Sequence, residues 1–407
     1  MIDGKNTRYR LGPGMSPGLK RALKWLVPPP LARRISRAFR EADIRRRTSG
    51  FVTPQQNRPL SDSEFERARV ICGNLGKLIS GRARHVEENG LDADFCLPGA
   101  NWKGDGERTW LYRGTTALLR EDYDVINNLR LFSQIFSGYS LLEMRPIPRG
   151  MVPPDRVPPD LTARLLSKSR RIDEWVERYR ELSRHVPGAL RVSPPNRFGE
   201  SGWIFDGRIV NHDTCACLER VALLHAAGLL QRLSAGAGGK KPRILEIGGG
   251  YGGLAYHLKT LVPKARYITI DLPESLLFSA LYLTTLFPDE CNVLVTSPEM
   301  IENDLERPGF TFIPNYLYRE PRNGGLRVDL AINTLSLSEM TATQVRSYCA
   351  LIRNSLTPGG TFFEQNQDNR HLGLLNAERL VAESFASRRQ ISLPCGVVHG
   401  SANVWSS

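Results

Sequence analysis

Five glycines crowd into six positions, Gly248, Gly249, Gly250, Gly252 and Gly253, and they constrain this 407-residue chain more than any other stretch. Before them, Arg243 to Ile247 is short, apolar and β-branched, as a buried parallel strand is. Glycine permits positive φ and lets a ligand approach the backbone where a Cβ would block it. Leu254 to Leu261 then opens a helix, whose first N–H groups face the turn. Tyr267 to Ile270 is a second strand, and Asp271 sits at its carboxyl end. Strand, glycine turn, helix, strand and acid make the unit of an open α/β sheet, which binds ligands at the carboxyl ends of its strands. A carboxylate there can accept both hydroxyls of a ribose.

Two ligand classes suit this unit. Gly248-x-Gly250-x-x-Gly253 fits the dinucleotide fingerprint, with Asp271 near the distance expected of a ribose acid. Glu246, two residues before the first glycine, points instead to S-adenosyl-L-methionine. A carboxylate there attracts the ammonium of a methionine moiety and repels a pyrophosphate. An NAD(P)-dependent oxidoreductase or epimerase stays as the alternative, although a Tyr-x-x-x-Lys pair is missing from the appropriate region.

The rest of the C-terminal half supplies further strands. A helix follows Asp271 to about Leu286, and Asn292 to Val295 reads as the third strand. Phe310 to Asn315 reads as a further strand or an adenine-side loop, and Val328 to Asn333 as the fourth strand. Thr341 to Ser355 is helical, Thr361 to Glu364 is the fifth strand, and Arg389–Leu393 with Asn403–Trp405 can pair as a terminal antiparallel hairpin.

Residues 1–60 are expected to be a basic, partly disordered tail: residues 1–50 hold 13 Lys/Arg against 3 Asp/Glu, while the whole chain is only +13. The body is therefore nearly neutral, which argues against a nucleic-acid surface. Leu31 to Arg47 can form a basic helix suited to peripheral contact with an anionic membrane. Residues 61–240 read as a mainly helical substrate or accessory region. It opens at the capping box Ser61-Asp-Ser-Glu64, with a helix to about Ile79. Thr115 to Phe136 has helical spacing, Asp206-Gly207 is a hairpin turn, and Asp213 is expected to cap a helix from Thr214 to Leu233. Residues 241–407 form the cofactor domain. Seven cysteines without framework spacing, no apolar run of membrane length and no signal-peptide core suggest a cytoplasmic protein.

With these pieces placed, the chain from about Asn196 onward resembles class I S-adenosylmethionine-dependent methyltransferases. It is most similar to the sugar O-methyltransferase family associated with bacterial polysaccharide and glycan loci. The matching stretches are Glu246 to Leu254, Ile270-Asp-Leu-Pro-Glu274, Phe312-Ile-Pro-Asn315, Asn333 to Met340 and the Pro358-Gly-Gly360 turn. The resemblance implies a Rossmann-like seven-stranded α/β domain behind a mainly helical N-terminal region. It implies S-adenosyl-L-methionine as cofactor, a sugar hydroxyl as acceptor and a place in polysaccharide biosynthesis. Glu246, Gly248, Gly250, Tyr251, Gly252, Asp271, Leu272 and Asn333 would then hold the cofactor. Methyl transfer to an alcohol also needs a base. Glu339, His371 and His212 are the candidates, from the ends of the fourth and fifth strands and from the segment before the domain. Trp203 and Phe205 are expected over the acceptor, because aromatic faces suit a sugar ring. No spacing demands a metal. A methyltransferase-like module without chemistry remains a third reading.

Overall fold

The structure is a computed structural model, and it describes residues 50–99, 102, 110–142, 145–147, 151, 154–168, 172–235, 241–301, 306–318, 326–366, 368–395 and 398–406. The expected basic helix at Leu31–Arg47 lies outside them. Residues 50–60, grouped with the tail by their sequence, are packed. Phe51–Val52 (β1) pairs antiparallel with Gly202–Phe205 (β2), which turns through Asp206 and Gly207 into Arg208–Val210 (β3). Asp206 and Gly207 have φ of 51° and 70°, as the sequence predicts for a tight hairpin.

The central sheet contains Arg243–Ile247 (β4), Arg266–Asp271 (β5), Cys291–Leu294 (β6), Gly309–Pro314 (β7), Val328–Thr334 (β8), Leu356–Gln365 (β9), Ser387–Ile391 (β10) and Ala402–Ser406 (β11). Their order is β10-β11-β9-β8-β4-β5-β7-β6. The six strands from β9 to β6 run parallel, and β11 and β10 close one edge antiparallel. The sheet thus has eight strands where seven were expected. The additional strand is β6, which was read as the third strand but lies at the outer edge. The longer, wholly buried β7 takes the inner place, because Phe310, Phe312 and Ile313 fill the core.

Register brings Ile247, Asp271, Pro314, Thr334 and Gln365 to one end of the parallel strands. A helical layer covers that end. The helix Asp62–Glu88 (α1) begins at the predicted Ser61–Glu64 box but runs beyond Ile79. It packs on Pro273–Leu286 (α3), where Arg82 makes a bidentate ion pair with Glu274 at 2.8 and 2.7 Å. Trp110–Leu119 (α2) packs on the same helix, with Gly114 against Phe278. The expected helix over Thr115–Phe136 is broken into short pieces at Glu121 and Asn128.

His212–Ala226 (α4) leads into the sheet and ends before Gly228, whose φ of 75° breaks the predicted longer helix. Its cap is Asn211 rather than Asp213: the Asn211 side chain accepts from the Thr214 N–H at 3.0 Å. Asp213 is occupied elsewhere, in an ion pair with Arg130. Among the described residues no helix is long and apolar enough to cross a membrane.

Candidate active site

The glycine turn has the strained backbone its composition requires. Gly248, Gly250 and Gly252 have φ of 72°, 55° and 89°. A Cβ on Gly248 would lie 2.1 Å from Ser336 Oγ, and one on Gly250 would lie 3.1 Å from Phe136 Cβ. Ser336 belongs to the turn after β8, where Leu335 has φ of 70°, a rare value for a branched side chain. Such outliers are held in place by their surroundings and gather at functional sites.

Two cavities meet over this turn. The larger, about 210 Å³, is lined by Asp271, Leu272, Ser275, Asn315, Glu339 and Tyr348 from the sheet domain. Phe95, Leu97 and Trp102 line it from the helical layer. The smaller, about 60 Å³, is lined by His212, Asp213, Arg220, Glu246, Tyr251 and His399. Phe136, Ser137, Gly248, Gly250, Thr334 and Leu335 line both.

Asp271 accepts from the N–H groups of Leu272 at 2.7 Å and Gly250 at 3.3 Å, so the acid is tied to the turn. Burial nevertheless pushes its carboxyl up to about 7 against those two bonds. Glu339 lines the same cavity; burial, reinforced by the charge of Asp271, raises it to about 7 as well. Glu246 is buried at the smaller cavity and accepts from the Tyr267 hydroxyl at 2.8 Å. Burial lifts it to about 7, opposed by that bond and by the charge of Arg220. Arg220 is oriented by its Nε, which donates to Gln365 Oε1 at 3.1 Å. Asn315 donates to the carbonyls of Phe95 and Cys96 at 2.9 and 3.2 Å. Its buried Oδ1 has no partner among the described residues.

The predicted site residues divide. Glu246, Gly248, Gly250, Tyr251, Asp271, Leu272, Glu339 and His212 all line one cavity or the other. Gly252 lines neither; it precedes the helix Gly253–Leu261 (α5), and a Cβ there would lie 3.0 Å from Leu283 Cδ1. Asn333 is a strut rather than a cofactor ligand. Its Nδ2 donates to Ile247 O at 2.9 Å and Ser336 Oγ at 2.6 Å, and its Oδ1 accepts from Leu337 N and Asn366 Nδ2. Full use of its amide leaves nothing for a ligand. His371 is exposed on a short turn after β9 and lines neither cavity.

Trp203 and Phe205, expected over the acceptor, line neither cavity. Trp203 packs edge-on against Phe51 at 5.4 Å, and Phe205 lies between Tyr179 and Arg180. Both take part in the packing of the small β1–β3 sheet.

Several residues in or behind the cleft carried no sequence signal. Arg130 is wholly buried and donates to Glu200 at 2.8 Å, to Ser133 at 2.6 Å and to Asp213. Its guanidinium lies 3.9 Å from the centre of the Tyr251 ring. Arg220 and His399 were missed too. A glycine-turn motif does not point to partners this far away in the chain.

No family model matches the chain, and no curated protein matches it. Solved structures resemble part of it. The N-methyltransferase NodS from Bradyrhizobium japonicum WM9, in complex with S-adenosyl-L-homocysteine, is 17% identical over 43% of this chain and 81% of its own, with a TM-score of 0.29. Human N-acetylserotonin methyltransferase, in complex with S-adenosylmethionine, is 15% identical over 48% of this chain and 55% of its own, at 0.26. The mitomycin 7-O-methyltransferase MmcR is 13% identical over 46% and 54%, at 0.29. Scores this low carry no argument about activity. The α/β Rossmann-like fold of this chain rests on its own strand order, with six parallel strands and a terminal antiparallel hairpin.

Proposed function

We propose that this chain is an S-adenosyl-L-methionine-dependent O-methyltransferase acting on a hydroxyl of a sugar or glycan precursor. The observation that carries the reading is the charge pair at the smaller cavity. Glu246 and Arg220 offer one anion and one cation beside the glycine turn, a complement to the ammonium and carboxylate of an amino acid. Asp271, in the adjoining cavity, offers two acceptor oxygens to ribose hydroxyls. The unpartnered Asn315 Oδ1 suits an exocyclic amine, and Phe95, Trp102 and Tyr348 supply apolar faces for a base. A dinucleotide would set a pyrophosphate against Glu246, which disfavours the oxidoreductase alternative.

When bound, the cofactor supplies an electrophilic methyl on a cationic sulfur. The protein's part is to align the acceptor, exclude water and take a proton. The sugar assignment rests on the sequence resemblance around Asn333–Met340. Calorimetry with S-adenosyl-L-homocysteine and with NAD(H) tests the cofactor: binding of the first and not the second is expected, and the reverse result overturns the reading. Labelled-methyl transfer from S-adenosyl-L-methionine to a panel of nucleotide sugars and glycans tests the acceptor. Label in a small-molecule phenol or amine, with none in any sugar, would overturn the sugar assignment alone. Cofactor binding without transfer to any acceptor would favour a module without chemistry.

A further inference from the structure

Resting on that reading, we infer that His212 is the proton acceptor of the reaction, with Asp213 and Arg130 as the residues that position it. His212 lines the smaller cavity together with Glu246, Arg220 and the glycine turn. Its Nδ1 lies 3.1 Å from Asp213 Oδ1. An ionised carboxylate only accepts hydrogen bonds, so Nδ1 carries the proton and the lone pair is on Nε2. Asp213 stays ionised. Burial alone would raise its carboxyl, but the charge of Arg130 and the bond from His212 hold it well below the usual range.

The ring is also fixed in orientation. It stacks on Tyr139 at 4.7 Å and 9°, and Trp175 meets it edge-on at 5.0 Å. Trp175 Nε1 donates to the Tyr139 hydroxyl at 2.8 Å, which locks the two aromatic partners to each other. His399 meets the ring from the opposite segment at 5.8 Å. Glu219 fastens that segment, accepting from the N–H groups of His399 at 2.8 Å and of Val398. A base whose Nδ1 is held by an orienting acid, on a ring that lines the cavity beside the glycine turn, is the arrangement that general-base catalysis requires.

Glu339 lines the larger cavity beside Asp271, whose charge disfavours a second carboxylate. Arg130 joins the two halves of the device. It holds Asp213 and Glu200 while its guanidinium covers the Tyr251 ring of the glycine turn. The base and the cofactor turn are therefore braced by one buried cation. In the step itself, the acceptor oxygen forms its bond to the methyl carbon as the carbon–sulfur bond breaks. The electron pair stays on sulfur, and the hydroxyl proton goes to His212 Nε2 and from there to solvent.

The test needs no acceptor. Sinefungin resembles the cofactor but has a carbon in place of the sulfur and an amine in place of its methyl, so its ammonium probes the group that faces the methyl position. Dissociation constants for sinefungin and for S-adenosyl-L-homocysteine are measured in the full chain by calorimetry. His212→Phe, which keeps the ring stacking, and Asp213→Asn are each expected to reduce the sinefungin preference by about tenfold to a hundredfold, the loss of one charge-assisted bond. Affinity for S-adenosyl-L-homocysteine stays within about threefold, which reports an intact fold.

Long-range 15N–1H spectra supply a second readout that a structural role would not move. His212 should carry its proton on Nδ1 in the wild type and on Nε2 in Asp213→Asn. If Glu339→Gln and not His212→Phe lowers the sinefungin preference, or if the tautomer is the reverse in the wild type, the assignment is overturned. If neither ligand binds the wild-type chain, the cofactor reading itself has failed.

Discussion

The glycine turn and the layer that covers it are held by different forces. The turn is held by backbone geometry: positive φ at three glycines, an N–H bond from Gly248 to Ile270, and strand register that brings Asp271 beside it. The covering layer is held by charges taken out of water. Arg130 with Glu200 and Asp213, Arg82 with Glu274, and Arg197 with Glu64 are all largely buried pairs. Backbone geometry leaves a local mark in the sequence, because only glycine tolerates it. A buried ion pair leaves none, since Arg130 meets its partners 70 and 83 positions away. The two regions should therefore fail differently when disturbed.

The largest effect is expected at Arg130. Arg130→Met leaves Glu200 and Asp213 buried without their cation, at a cost of about 3–5 kcal/mol. Urea unfolding measures it, and a loss under about 1 kcal/mol would show that the layer does not depend on this charge. Trp203→Ala comes next. It removes an aromatic from the small β1–β3 sheet for about 3 kcal/mol, while affinity for S-adenosyl-L-homocysteine stays within about twofold. A specific loss of ligand affinity would move Trp203 back to the cleft.

In the sheet domain the expected effects are on the ligand instead. On the proposed reading Asp271→Ala removes an acceptor for two ribose hydroxyls, worth about 1.5–3 kcal/mol, or roughly tenfold to a hundredfold or more in affinity. Adenosine and S-adenosyl-L-homocysteine should weaken together, because both carry the ribose. Glu246→Ala should weaken only the ligand that carries the ammonium. Equal loss of adenosine binding in both variants, with the fold intact, would mean that the two carboxylates are wrongly assigned.

A smaller effect follows from pH. Free Glu246 keeps its proton to about 7 because it is buried, whereas an unfolded chain releases it near its ordinary value of 4.5. The native state holds the extra proton in that window, so this group's contribution to stability falls as pH rises from about 4.5 to 7. Ligand binding has the opposite sign. An ammonium beside Glu246 favours the carboxylate, so binding below pH 7 releases a proton and strengthens with pH by at most about tenfold per unit. Asp271, also raised to about 7, acts in the same direction. Calorimetry in buffers of different ionisation heat counts the protons, and proton uptake on binding would contradict the placement of the ammonium. The smallest effect is His371→Ala, at an exposed position outside both cavities. Stability should change by less than about 0.5 kcal/mol with ligand affinity unaltered; a clear loss of affinity would return His371 to the site.

Much of the sheet half was legible because its signals are local. The strand before the turn, the glycines, Asp271, the helix from Thr341 and the closing hairpin each occupy a short run with a period or a residue type of its own. Errors arose where a neighbour in space decided. Asn292–Val295 reads as well as Phe310–Asn315 for an inner strand, and only the fit against β5 placed Gly309–Pro314 inside. Asp213 is a good cap by type, but Arg130 claimed its carboxylate and Asn211 took the cap.

The sequence by itself determined the α/β unit, the glycine turn with its positive φ angles, and the two acids Glu246 and Asp271 at its edge. These follow from φ/ψ limits and from strand periodicity, which act over a few residues. Tertiary structure alone decided which of the three candidate bases line the cavities, that Asn333 is spent on bracing, and that Trp203 and Phe205 line neither cavity. It also brought Arg220, Arg130 and His399 to the turn. Those outcomes depend on which side chains meet when α4 and the helical layer close over the sheet, and burial without water makes each such meeting specific.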